Sequence, residues 1–102
     1  MAQPIYKVFL GKFTEAWHQL SKEEQDRIGG QIEAALVKVG GKRPILCDSS
    51  WASEQWQGFG VEEFPNLEAV QRHEQLLTGL NWLRYIESRT TLGTEFSVPG
   101  SA

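Results

Sequence analysis

The side chain best placed to do chemistry in this 102-residue chain is His73. It follows Val70 by three residues and precedes Leu77 by four and Leu80 by seven, a spacing that puts all four on one stripe of a helix. An imidazole is therefore expected to point inward from an otherwise apolar face. A neutral imidazole held between a helix and a sheet can take a proton from a carbon acid or a phenol near neutral pH. The same pattern also describes a histidine hydrogen-bonded within the core. Tyr6, Trp56, Trp82 and Tyr85 have apolar bodies with polar tips, which suits an aromatic-ligand pocket and equally a core or an interface. Asp48, beside Cys47 on a mainly apolar stretch, either orients a histidine or marks where a strand meets solvent.

The remaining chemical groups narrow the options. Cys47 is the single cysteine, so it has no internal disulfide partner, and with no activating neighbour in sequence it reads as an inert thiol. Glu62 and Glu63 are adjacent on a strand-like run and must point to opposite faces, so they do not form a paired-carboxylate site. His18 falls off the stripe made by Phe13, Trp17 and Leu20 and is expected to be exposed. One cysteine and two histidines give no zinc spacing, and no G-x-G-x-x-G, Walker loop or G-x-S-x-G elbow occurs, so neither a metal nor a cofactor is expected. Thirteen acidic against ten basic residues give a net charge of -3, and the basic residues never cluster beyond pairs such as Lys42-Arg43. That is not the footprint of a nucleic-acid binder. No apolar run nears the ~18 residues of a membrane span, and Met1 to Ile5 lacks the regions of a signal peptide. The expected location is the cytoplasm.

These residues must be carried by elements that the sequence also signals. Hydrophobic residues at 40% and charged residues at 23% are ordinary for a globular chain, and the length suits one domain, residues 1–102. An ordered core of about residues 5–96 and a mobile tail, 97–102, are expected. Ile5–Phe13 is rich in β-branched and aromatic residues and reads as a strand whose alternating sets, Tyr6-Val8-Leu10 and Ile5-Lys7-Phe9, are both largely apolar. Cover on both faces is implied. A short helical turn follows at 14–20, and Ser21-Lys22-Glu23-Glu24 is a capping box that opens a helix with Ile28, Ile32, Ala35, Leu36 and Val39 on one stripe. Gly29-Gly30 inside it implies a close backbone approach or a bend, and Gly40-Gly41 ends it. Pro44–Trp51 and Gln55–Phe64 read as a hairpin, with Gly58 and Gly60 on one face leaving room for a neighbour. Asn66 caps a second helix running to about Thr78, with Leu67, Val70, Leu77 and Leu80 inward. Another turn follows at Trp82–Ile86, and Arg89–Phe96 is the last strand.

The resulting order is β-α-β-β-α-β, an α+β ferredoxin-like arrangement of a four-stranded antiparallel sheet with helices on one face. The run Gly58-Phe59-Gly60-Val61-Glu62-Glu63-Phe64-Pro65-Asn66-Leu67-Glu68-Ala69-Val70 resembles the strand-to-helix junction of the dimeric α/β-barrel superfamily. That superfamily includes antibiotic-biosynthesis monooxygenases, haem-degrading monooxygenases, stress-responsive barrel proteins, muconolactone isomerases and polyketide cyclases. The resemblance spans about residues 5–96, and in Ala16–Glu24 and Leu80–Tyr85 it is closer to uncharacterised members. It implies a homodimer whose two sheets close into one barrel, with a pocket between each sheet and its helices. The inward histidine amid aromatics points to a small-molecule protein, either a binder or a cofactor-independent monooxygenase, cyclase or isomerase, acting on an aromatic or polyketide-like ligand. The alternative, which the uncharacterised likenesses and the lack of a complete catalytic set favour, is a non-enzymatic structural or stress-associated dimer. The haem-degrading branch carries an Asn on strand one, a Trp on strand three and a His on the second helix. This sequence offers Trp56 and His73 but no Asn between Ile5 and Phe13, so haem is not implied.

Overall fold

The first helix begins where the capping box places it. In the computed structural model, which describes residues 3–100, Ser21 Oγ accepts from the Glu24 N–H at 3.1 Å and Glu24 Oε1 accepts from the Ser21 N–H at 3.2 Å. Met1 and Ala2 of the expected leader-free start, and Ser101 and Ala102 of the expected tail, lie outside the described residues. The order is β1 (Ile5–Phe13), α1 (Glu15–His18), α2 (Lys22–Lys38), β2 (Lys42–Asp48), β3 (Gly58–Phe64), α3 (Leu67–Gly79), a 3-10 turn (Trp82–Arg84) and β4 (Ile86–Gly93). The strands form one antiparallel sheet in the order β2-β3-β1-β4. Among the described residues no helix is long and apolar enough to cross a membrane.

Local chemistry explains each boundary. Gly40, at φ +78°, takes the left-handed conformation after α2, and the Gly40 and Gly41 N–H groups donate to Val37 O and Leu36 O, a Schellman closure. Asn66 Oδ1 accepts from the Ala69 N–H at 2.8 Å and starts α3. Asn81, at φ +59°, turns the chain out of α3 into the 3-10 turn. The hairpin departs from expectation. Hydroxyls hold residues 49–57 as a loop, with Ser49 Oγ donating to Trp56 O and Ser53 Oγ accepting from the Trp56 N–H. Trp51, Gln55 and Trp56 are thereby excluded from the strands. β4 begins at Ile86 rather than Arg89, because Ile86 pairs with Phe13 and Tyr85 O accepts from the Thr14 N–H.

Both helices lie on one face of the sheet, and the core is concentrated at one end. Leu36 of α2, Phe64 of β3, and Ala69 and Val70 of α3 are buried together, with Ile5 and Val39 against them. Leu67, expected to face inward, is exposed, while Val70 and His73 are buried. The face of β1 away from the helices has no cover among the described residues, so Val8 and Leu10 are exposed, as are Phe59 and Ile45 beside them. The reason is topological: in a β-α-β-β-α-β chain both crossovers return on the same side.

The two glycine pairs behave differently. A Cβ at Gly60 would lie 2.8 Å from Phe9 Cζ and from Ile45 O, which is the close approach expected on that face. At Gly29 and Gly30 a Cβ would meet nothing within 4 Å, and α2 runs through them without interruption, so the close approach expected there is absent. Gly29 borders a cleft between the sheet and the helices, whereas Gly30 is exposed and only raises the entropy lost on folding. Gly30→Ala is therefore expected to stabilise the chain by about 0.5–1 kcal/mol, raising Tm by a few degrees. An unchanged or lower Tm would mean that this turn of the helix contacts something the chain alone does not supply.

Candidate functional site

The strand register decides which side chains meet. Lys7 pairs with Glu62, Phe9 with Gly60 and Gly11 with Gly58, so the helix-facing side of β1 and β3 carries Lys7 and Glu62 next to a strip of glycines. Phe64 and its neighbours bring helices and sheet together at one end. Beyond them, the bare backbone at Gly11 and Gly58 leaves a half-open cleft of about 1040 Å³ between the sheet and α2 and α3.

At the closed end of this cleft stands His73, 2% exposed, with its ring centroid 5.2 Å from that of Phe64. Neither imidazole nitrogen has a hydrogen-bond partner among the described residues, although both are buried. Below it lies a charged network. Lys7 Nζ donates to Glu74 Oε1 at 2.8 Å and lies 4.0 Å from Glu62 Oε1, and Arg43 Nη2 donates to Glu62 Oε2 at 3.0 Å while Nη1 meets Glu33. Lys7 and Glu62 are both buried. Burial works against the Arg43 charge, but Glu33 and Glu62 outweigh it and hold the guanidinium above its ordinary value. At the open end Phe13 stacks on Trp17 at 4.5 Å, and Trp82 meets both rings edge-on, at 6.4 Å from Phe13 and 5.8 Å from Trp17. These three form an aromatic wall of the cleft.

Of the residues singled out from sequence, His73, Trp82 and Asp48 line this cleft. Asp48 sits exposed at its rim and accepts from Ser50 Oγ at 2.6 Å and from the Ser50 N–H at 2.9 Å, bonds that hold its carboxyl below the usual range. It does not orient the histidine, whose nitrogens are unbonded. Tyr6 is on the opposite face of β1, where its hydroxyl donates to Glu95 at 3.1 Å. Trp56 is in the β2–β3 loop, and Tyr85 packs against Trp17 at 6.1 Å, so neither is among the lining residues. The sequence reading missed Lys7, Arg43, Glu62, Phe13 and Trp17. A signal existed for two of them: a lysine in the otherwise apolar Ile5-Lys7-Phe9 set, and a glutamate in phase with Gly60 and Phe64.

No protein-family model matches the chain, and no curated protein matches it. Solved structures do. SnoaB, a cofactor-independent oxygenase from Streptomyces nogalater, superposes with a TM-score of 0.55 at 11% identity, over 98% of this chain and 100% of that one. A hypothetical Arabidopsis thaliana protein does so with a TM-score of 0.57 at 15% identity, over 94% and 91%. A dimeric protein of unknown function and ferredoxin-like fold from Bacteroides fragilis gives 0.49 at 13% identity, over 90% and 96%. The order β2-β3-β1-β4 in a β-α-β-β-α-β chain makes the fold ferredoxin-like. At these identities the likeness concerns architecture, and there it agrees with the resemblance read from the sequence.

The histidine makes a pH prediction. Burial, the largest influence, pushes His73 below its ordinary value of 6.5; Glu62 and Glu74 pull it up, and Lys7 and Arg43 push it down. Below about pH 6.5 the unfolded chain thus binds a proton that the folded chain resists, so stability is complete above that pH and declines as pH falls through the lowered folded value. Asp48 and Glu24, both held low, lose their contribution only within the carboxylate range. Thermal melts between about pH 5 and pH 7 should show Tm falling with acidity, and His73→Phe, which keeps a ring of similar volume, should flatten that slope. Equal slopes would assign the titration to another group.

Proposed function

We propose that the chain binds a small, largely apolar aromatic or polyketide-like molecule in the cleft, and that His73 acts on it as a general base. The reaction class is proton abstraction from a phenol or an activated C–H, the step that opens cofactor-independent oxygenation, cyclisation or isomerisation. The observation that carries the reading is the buried imidazole with two unbonded nitrogens beside a cavity, because a histidine kept for packing alone normally has its nitrogens satisfied. Its depressed basicity keeps it neutral at pH 7, the form a base requires. A sheet and helices packed without a gap would have favoured the structural alternative, and the cleft supports the catalytic one. The architecture shared with SnoaB, described as a cofactor-independent oxygenase, is compatible with this chemistry.

The reading includes a homodimer. Val8 faces Val61, which faces Ile45, and Leu10 faces Phe59, so the outer sheet face presents one continuous apolar patch that a second copy would cover. Light scattering at micromolar concentration is expected to give twice the monomer mass, and a monomer there would remove this part.

The site is tested by melting the protein against a panel of phenols and enolisable aromatic ketones. A compound at 100 times its Kd should stabilise by about 2.7 kcal/mol. With a turned-over hit, His73→Asn is expected to keep binding while lowering kcat by about 10²–10⁴-fold. If no aromatic compound raises Tm while His73→Ala melts several degrees lower, the histidine is a core residue and the reading falls.

A further inference from the structure

The donors beneath His73 outnumber the acceptors that reach them. Lys7, Arg43 and Glu62 have side chains 7%, 16% and 6% exposed, whereas Glu33 and Glu74 are 59% and 55% exposed. Both outer carboxylates are bonded to the cations, Glu74 to Lys7 at 2.8 Å and Glu33 to Arg43, so what the floor has to spare is donors. Lys7 Nζ donates only to Glu74 among the described residues, with Glu62 Oε1 at 4.0 Å beyond hydrogen-bond reach, and Arg43 Nε is buried without a partner. Both residues border the same cavity as His73, and both act electrostatically on its ring.

We infer that the cleft's ligand presents an ionised or ionising oxygen, a phenolate, enolate or carboxylate, to Lys7 with Arg43 beside it, while its apolar body lies toward the aromatic wall. This rests on the proposed function and assigns Lys7 a role in it. When His73 takes the proton, the ligand O–H or C–H bond breaks, the hydrogen goes to an imidazole nitrogen, and the electron pair is left on the ligand oxygen. That oxygen accepts from Lys7 Nζ, where a charge-assisted bond in a water-poor cleft stabilises it more than water would. Glu62 meanwhile offsets the imidazolium. The transfer needs no oxidant or reductant, and it separates two charges over a floor that already holds both signs. A neutral aromatic molecule of the same shape would leave the lysine and the Arg43 Nε–H unsatisfied.

The test uses a matched pair of probes, 2-naphthoate and 2-naphthamide, which share an apolar body and differ in charge. Calorimetry gives their affinities, and the His73 ring resonances in NMR report whether they occupy the cleft. The naphthoate is expected to bind about tenfold tighter or more. Lys7→Met leaves the Arg43–Glu62 pair balanced, so the variant should fold, and it should bring the naphthoate down to the affinity of the amide. Equal binding of both probes, with the His73 resonances perturbed, would overturn the anionic ligand and leave the cleft reading standing. An anion preference that persists undiminished in Lys7→Met would overturn the role of the lysine. If neither probe binds or shifts His73, the proposed function fails and this inference fails with it.

Discussion

Glu62→Ala is expected to be among the most destabilising single changes in the chain, at about 3–5 kcal/mol. The carboxylate is buried and lies between Arg43, bonded at 3.0 Å, and Lys7 at 4.0 Å. Removing it leaves two buried cations whose other partners, Glu33 and Glu74, are mostly in water. A domain of this size has about 5–15 kcal/mol of stability in total, so about a fifth or more would be lost. Urea denaturation reads the effect directly as a lower midpoint. The double variant Glu62→Met with Lys7→Met removes one charge of each sign and should recover much of the loss, since a well-packed apolar pair commonly replaces a buried ion pair at little cost. A midpoint for Glu62→Ala within error of the wild type would show that solvent reaches the network, and the charge argument for the cleft would fail.

Phe64→Ala is expected to cost a similar 3–5 kcal/mol, by a different mechanism. Phe64 is 1% exposed, the most deeply buried member of the cluster formed with Leu36, Ala69 and Val70. That cluster holds both helices to the sheet at the closed end of the cleft, so a cavity there also loosens the support of His73, whose ring packs on Phe64. Two readouts should move together: the urea midpoint falls, and the His73 NMR resonances broaden or approach those of an exposed histidine. Phe64→Leu keeps most of the volume and should cost well under half as much. A large loss of stability with unaltered His73 resonances would mean that α3 is positioned by other contacts.

How much of this was legible beforehand depends on the kind of signal. Capping boxes, Asn caps and glycine stops are local hydrogen-bonding patterns, and Ser21, Asn66 and Gly40 act where the sequence places them because nothing distant competes for those backbone donors. The apolar stripe of α2 is equally secure, with Ile28, Ile32, Ala35 and Leu36 all buried. The β2–β3 connection was harder. Its aromatic residues have strand propensity, but hydroxyl-to-backbone bonds from Ser49 and Ser53 offered a competing conformation, and that removed Trp56 from the strand on which its expected role depended.

By itself the sequence determined the element order, the helix ends and the inward phase of His73, all of which follow from interactions within a few residues of chain. Only the tertiary structure decided the content of the site. In β1 the sets Tyr6-Val8-Leu10 and Ile5-Lys7-Phe9 are almost equally apolar, so hydrophobic alternation cannot say which one faces the helices. Pairing of Lys7 with Glu62 and of Phe9 with Gly60 settles the phase, sending Tyr6 to the outer face and Lys7 into the cleft. Likewise Arg43, Glu62 and His73 come from three different elements, and their meeting depends on the sheet order, while the bare backbone at Gly11 and Gly58 leaves the cleft beside them open. Contacts of that kind join residues far apart in the chain, and no local pattern encodes them.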